Sequence, residues 1–421
     1  MGRKRWLVWG AYAALLLVAP LIFRTSLAMT MLSQIGIAII ACLAFNMLLG
    51  QGGMLSFGHA VYSGLGSFFA IHTLNLVSKG ALTLPVSLIP LVAGAFGGLF
   101  AVLLGYVTTR KSGTPFAMIT LGVGELVWAM SLMFPGFFGG EGGISGNRVA
   151  GPPVLGISFG PAIELYYLIA LYCFVCTAAM YAFTLTPLGR MLNAVRDNPE
   201  RVEFIGYSTR HVRYLAFIAS GFFMGVSGGL AALNFEIVTA EVVGAARSGA
   251  YLLFTFLGGA MFFFGPIIGA VLMVLALVLL SELTQAWLLY LGLVFLFMVI
   301  YAPGGLSSLV MMNLRVAAFG KLRRLLGSYA AFGVLGLVML ASAGAMIEMV
   351  YHLQLNEALG PRLRFMGVGL DAKGAASWAA AAALLAAGVA GFEVVRRRFV
   401  LAWAAIQTEI EDEQARQRAG T

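Results

Sequence analysis

Long apolar runs alternate with short polar breaks along the whole chain. Residues 6–23, 31–49, 82–107, 115–134, 164–184, 214–235, 249–264, 266–280, 286–302, 328–350 and 375–395 are almost free of charge. A further run continues from the end of the second one to Leu76, interrupted by glycines. A helix needs about 20 apolar residues to cross a hydrocarbon core ~30 Å thick, so the pattern predicts an all-α, polytopic transmembrane helical bundle of about twelve spans. Transmembrane strands fit such unbroken runs poorly, because their residues alternate between a lipid face and an inner face.

Two places break the rhythm. Gly50-Gln51-Gly52-Gly53 interrupts the hydrocarbon, and Ser56, His59, Ser63 and Ser67 follow among Gly58, Gly64 and Gly66. Irregular backbone at membrane depth is tolerated only against protein or a cavity, so a broken helix facing the bundle interior is expected here. The second break is the polar stretch 186–213. Leu188, Met191, Leu192 and Val195 fall on one helical face, with Arg190, Asn193 and Asp197 on another. Asn198 is a good N-cap, Pro199 suits a first helical position, and Glu200 sits where the helix dipole favours an acid. The stretch therefore predicts two short helices meeting at a stiff corner, the second ending near Gly206. An ordinary basic loop is the competing reading.

Composition narrows the class. The 421 residues are 61% hydrophobic and 10% charged, with mean hydropathy +0.94, whereas soluble domains carry about 25% charged residues. The excess of 26 Lys+Arg over 17 Asp+Glu, 26 − 17 = +9, does not indicate nucleic acid here, because the cations gather beside apolar runs. Arg110-Lys111, the arginines from Arg190 to Arg213, Lys321 with Arg323 and Arg324, and Arg396-Arg397-Arg398 all fall on one side when both termini are cytoplasmic. The Gly/Pro-rich loop 135–161, the segment holding Glu236, Glu241 and Arg247, and residues 352–374 then lie outside, with Glu141 and Asn356 as markers. The Met-Gly-Arg-Lys-Arg start imitates a signal peptide, but the run behind it is long and Ala19-Pro20-Leu21 is an unconvincing cleavage site, so a retained first span is expected. Cys173 and Cys176 form a CxxC inside an apolar run and read as packing residues, as does Cys42; no metal-ligating or catalytic constellation is apparent.

Ionisable groups within spans carry more information, since each costs about 2.5–3.5 kcal/mol at mid-helix unless partnered or hydrated. Glu125 lies well inside a run and His59 beside the glycine break. A polar route lined by Ser56, His59, Ser63, Thr120 and Glu125 is one reading; hydrogen bonds that merely pack helices together are the other. Small-xxx-small patterns such as Gly221-Phe-Phe-Met-Gly225 allow close helix approach. A faint echo between the stretches from Phe57 and from Ser248 suggests a repeat. The chain contains no phosphate-loop motif and no series of acids suited to a proton relay, so it has no evident energy source of its own.

GQGGMLSFGHAVYSGLGSFFA from Gly50, GGEGGISG from Gly139, FLGGAMFFFGPIIGA from Phe256, YAPGGL from Tyr301, and Gly189-Arg190 with Ala194, Arg196, Asp197-Asn198-Pro199 and Ile205-Gly206 resemble the LivM-type permeases of branched-chain amino acid ABC transporters. The resemblance covers about residues 35–306. It implies a fold similar to type II ABC importer permeases in the bacterial inner membrane. It also implies a second permease subunit, cytoplasmic ABC ATPase subunits and a periplasmic solute-binding protein. No cofactor would be bound by this chain, ATP being used by the partner subunit. The solute would be leucine, isoleucine, valine or a related amino acid; urea or short amides are the alternative, and an ion-coupled secondary carrier a further one. The ATPase-coupling contacts would fall at Gly189, Arg190, Leu192, Val195, Arg196, Asp197, Asn198, Pro199, Glu200, Ile205 and Gly206. Three parts follow: an N-terminal span and turn (1–30), a permease core (31–306) carrying the coupling segment 186–213, and a C-terminal extension (307–421) of two further spans and a tail, which departs from the shorter family pattern.

Overall fold

The computed structural model describes residues 3–149, 158–284, 286–302, 304–355, 360–365 and 367–419, with side chains left undescribed at 3–5, 283 and 413–419. Asn356, expected outside, lies beyond the described residues, as do Pro303 and residues 150–157 of the Gly/Pro-rich loop. Helices dominate: α1 (Arg3–Ile22), α2 (Ser26–Gly52), α3 (Ala60–Ser78), α4 (Ile89–Thr108), α5 (Thr114–Met133), α6 (Pro135–Phe138), α7 (Ala162–Leu185), α8 (Pro187–Asp197), α9 (Pro199–Phe204) and α10 (Thr209–Phe235). After them come α11 (Ala245–Gly258), α12 (Gly265–Val274) running into a π-helical stretch Leu275–Leu280, α13 (Ser281–Leu283), α14 (Trp287–Tyr301), α15 (Gly305–Ala318), α16 (Leu326–Leu355) and α17 (Ala375–Ala419).

Among the described residues, eight helices are long and apolar enough to cross a membrane, or nine if the bent pair α14–α15 counts as one span; Trp6–Ile22 and Gly265–Leu280 are shorter apolar helices. Of the twelve runs, 6–23 and 266–280 form those two shorter helices, and the remaining difference lies at 249–264. There α11 stops after 14 residues, about 21 Å of helix at ~1.5 Å per residue and too short for a ~30 Å core. Gly259, at φ +110, turns the chain before α12 begins. An apolar run does not reveal such a stop, because the residues in the turn are as apolar as those in the helix.

The chain divides into two compact units. The first comprises Met1–Leu283 and Leu291–Ser308, the second Thr284–Tyr290 and Leu309–Thr421. In the first, α2 is buried along most of its length, and α10 packs against α2, α3 and α4. Missing side chains make these contacts close: a Cβ at Gly97 would stand 2.7 Å from the Cα of Gly225, and one at Gly66 2.8 Å from it. Hydroxyls stitch the same helices, Ser227 donating to the Ile37 carbonyl at 3.0 Å and Ser67 to that of Gly228 at 2.8 Å. A two-residue ladder pairs Ile144 and Ser145 (β1) with Val238 and Ile237 (β2), so the loop after α5 and the end of α10 meet at one end of the unit. Arg148 fastens that end. Its guanidinium donates to the carbonyls of Leu233, Phe159 and Gly160 and pairs with Glu236 at 3.3 Å. Segment α8–α9 lies at the other end of α10, about 40 Å away along 27 helical residues.

In the second unit α16 packs along α17, and the hairpin β3 (Arg362–Phe365) and β4 (Val368–Asp371) lies between them in sequence, within the stretch expected to be an outer loop. The tail is helical to Ala419. Ile406 and Ile410 are buried with Val316 and Leu325, and Glu409 pairs with Lys321 at 3.1 Å and Arg324 at 3.0 Å.

Candidate functional site

The segment after α7 folds as its residues dictate. Thr186 caps α8, its hydroxyl accepting from the Gly189 N–H at 3.2 Å, with Pro187 at the first helical position. Gly189 is close to α7: a Cβ there would stand 2.9 Å from the Cα of Thr184. Asn198 ends α8 and caps α9, its side-chain oxygen accepting from the Arg201 N–H at 3.0 Å, with Pro199 next. The expected helix, corner, helix is present. Thr209 then donates to Glu203 at 2.7 Å, tying α9 to the start of α10.

Side-chain placement divides the expected coupling residues. Leu192 and Val195 are buried against the chain's own core, α8 packing on α2, α7 and α10. Their apolar face is used within the chain. Arg190, Asp197, Pro199, Glu200 and Gly206 are exposed, and Asn198 partly so. Ile205 is 66% exposed and is joined by Phe204 at 90% and Tyr207 at 53%. Those two aromatics escaped the sequence reading. The signal for them was present: once Val202 turns inward, Phe204, Ile205 and Tyr207 are the apolar side chains left over among Glu200, Arg201, Glu203 and Arg210. Arg196 turns towards α2, its Nη1 donating to the Gly50 carbonyl while Nε donates to Asp197 at 2.9 Å.

The glycine break is where α2 ends. Gly53, at φ +62, closes the helix with its N–H on Leu49 O at 3.1 Å, and Met54 N–H bonds Leu48 O at 2.9 Å, a left-handed terminus that glycine adopts without strain. The link to α3 is held from two sides. Phe57 N–H donates to Thr120 of α5 at 3.2 Å, and Ala60 N–H to Ser248 of α11 at 2.9 Å.

Of the five residues expected to line a route, four are buried and one is exposed. Ser56 and His59 have no exposed surface, and Ser63 and Thr120 are buried. His59 sits among the rings of Phe45, Tyr62 and Phe217 at centroid distances of 5.5, 5.4 and 5.8 Å, with Nε2 2.8 Å from Ser220 Oγ, which donates to the Ala44 carbonyl at 2.6 Å. Thr120 donates to Ala117 O at 2.8 Å. His59 and Thr120 hydrogen-bond within the bundle, and all four are enclosed by it. Glu125 is on the opposite footing: it is exposed on α5, with Met118, Leu126 and Met133 also exposed. A partly open cavity between α2, α10, α11 and α12 is walled by other residues, among them Gln34, Ile37, Phe235, Arg247, Tyr251 and Met273.

Comparison with known proteins follows the same residues. Residues 27–303 match the family model described as the permease component of branched-chain amino acid transport systems. The chain is similar to the high-affinity branched-chain amino acid transport system permease protein LivM of Escherichia coli strain K12, 27% identical over 304 residues, covering 66% of this chain and 70% of the relative. The protein of the same name from Salmonella typhimurium is 27% identical over 303 residues, with the same coverage. No solved structure matches.

Proposed function

Because the chain belongs to the family of branched-chain amino acid transport system permease components, we propose that it is the membrane-spanning subunit of an ABC importer in a bacterial inner membrane, moving branched-chain or related amino acids inward. Separate ATPase subunits supply the energy, a periplasmic binding protein delivers the solute, and a second permease subunit completes the pathway. Both termini and segment 186–213 face the cytoplasm.

The exposed cluster Phe204, Ile205 and Tyr207 carries the ATPase assignment. Exposed apolar side chains rimmed by charge mark a protein contact, and these sit on a short, capped corner outside the long apolar helices. Glu200, Arg201 and Glu203 form the rim, and the buried Leu192 and Val195 hold the corner to the bundle. Glu125 supports the second permease. A carboxylate facing hydrocarbon in mid-span costs about 2.5–3.5 kcal/mol, so the exposed face of α5 is one that protein or a hydrated route covers. Ser56, His59, Ser63 and Thr120 then act behind that face as its support.

Reconstitution in proteoliposomes with the ATPase subunits and binding protein tests the reading. ATP-dependent uptake of labelled leucine is expected. Phe204→Asp with Ile205→Asp should abolish co-purification of the ATPase while the permease stays folded. Urea uptake without leucine uptake would overturn the solute, and uptake that survives ATP depletion but collapses with an ion gradient would overturn the energy source.

A further inference from the structure

Three chain breaks and the segment α8 meet closely, with glycine backbone lying directly against side chains of α8 and against the backbone of the other breaks. The stem of Arg196 lies over the last turn of α2: a Cβ at Gly53 would stand 2.8 Å from Arg196 Cγ, and one at Gly52 3.1 Å from Leu192 Cδ1. On another face of that turn, a Cβ at Gly50 would run into the Ala260 carbonyl oxygen. Ala260 follows Gly259, which ends α11, and Gly259 is in turn packed against Gly304, Gly305 and Ser307 at the start of α15. All of these residues belong to the first unit.

Arg196 supplies the polar half of the junction. Gly53 and Met54 occupy the carbonyls of Leu49 and Leu48, and the Gly50 carbonyl receives the guanidinium. A cation there also meets the negative end of the α2 dipole. Asp197 holds the same guanidinium from the other side, its Oδ1 2.9 Å from both Nε and Nη2, so the head group is fixed between α8 and α2. Beside this contact the break itself is under-satisfied. Asn46 Oδ1, Gln51 Oε1, Ser56 Oγ and His59 Nδ1 are buried with no hydrogen-bond partner among the described residues. Buried polar atoms left without partners are costly, and a rearrangement of the break or entry of water would satisfy them.

We propose that Arg196 is a positioning residue that transmits movement of the 186–213 segment into the bundle, rather than a contact to the ATPase. A displacement of α8 is delivered through the guanidinium and the glycine contacts to the end of α2, then across Gly50 to the α11–α12 turn. Between Gly50 and Ala260, and between Gly259 and Gly305, backbone packs on backbone with no side chain to absorb the motion, so that part of the junction shifts as a unit. A displacement that gives hydrogen-bond partners to the unpartnered atoms at the end of α2 and the link to α3 is favoured over one that does not. This inference rests on the reading of 186–213 as the ATPase seat.

The test uses the complete importer in proteoliposomes, with Arg196→Ala and Arg196→Lys permeases. Expected for Arg196→Ala are unchanged co-purification of the ATPase, continued ATP hydrolysis, and leucine imported per ATP lower by about tenfold or more, the loss a charged hydrogen bond commonly represents. Arg196→Lys should recover part of that ratio, because an ammonium can meet the Gly50 carbonyl but not hold Asp197 through two nitrogens as well. Loss of the ATPase from the purified Arg196→Ala complex would make Arg196 an ATPase contact and overturn the proposal. Hydrolysis and uptake falling together, with a lowered melting midpoint, would make it merely structural and overturn it equally. A wild-type complex with no ATP-driven uptake would instead overturn the reading of the segment, and this inference with it.

Discussion

Replacing His59 by alanine removes an imidazole with no exposed surface from between three aromatic rings. Two losses follow. The cavity left among Phe45, Tyr62 and Phe217 is bounded by close-packed helices that relax little, which places the cost near ~3 kcal/mol, the lower end for aromatic-to-alanine changes. The 2.8 Å bond to Ser220 goes as well, but Ser220 keeps its own donation to Ala44 O, so the polar share is small. Hydrogen bonds between membrane helices are worth about 0.6 kcal/mol on average and ~1.7 at most. The variant should therefore melt well below wild type in detergent, and the His59→Ala, Ser220→Ala double variant should cost less than the sum of the two singles by roughly 1 kcal/mol. Uptake normalised to folded permease should stay near wild type, since His59 is walled off from solvent. A His59→Ala protein that melts like wild type yet fails to transport would refute this reasoning and return His59 to the route of the solute.

Other substitutions separate the two faces of segment 186–213. Leu192→Asp, which puts a charge where the side chain is fully buried, should remove folded permease from the membrane, while Ile205→Asp should leave it there and weaken only its hold on the ATPase; membrane yield and co-purification distinguish them. Gly225→Leu forces α10 away from the Ala93–Gly97 backbone of α4 and should cost ~1–3 kcal/mol or more, read as a lower melting midpoint. Glu125→Leu should leave folding intact and lower the rate of leucine uptake, and Glu125→Gln should retain more of it; equal rates for both and wild type would remove Glu125 from the pathway. Arg148→Ala should free the loop that Arg148 fastens, seen as faster proteolysis between α5 and α7 in inside-out and right-side-out vesicles compared.

Much of this protein is local, and what is local could be read from residue order. The apolar runs place it in a membrane, the Thr186-Pro187 and Asn198-Pro199 pairs make the corner between α8 and α9, and Gly50 to Gly53 stops α2, because hydropathy, capping and backbone strain depend on residues within a few positions of one another. What lies across from each side chain is not local. Arg196 bonds a carbonyl 146 positions away and His59 a hydroxyl 161 positions away, so an arginine expected among the ATPase contacts turns towards α2 and a histidine expected on a route is sealed among rings. The amphipathic pattern of α8 showed that Leu192 and Val195 need an apolar partner but not whose; the bundle supplied it, leaving Phe204, Ile205 and Tyr207 as the exposed apolar group. Glu125 and the stop of α11 at Gly259 belong to the same class, since a helix in hydrocarbon-rich sequence carries no periodic mark of which face is covered or where a turn intervenes. Those choices were made by the packing of helices far apart in the chain, where backbone approach at glycine and the pairing of buried polar groups decide which contacts form.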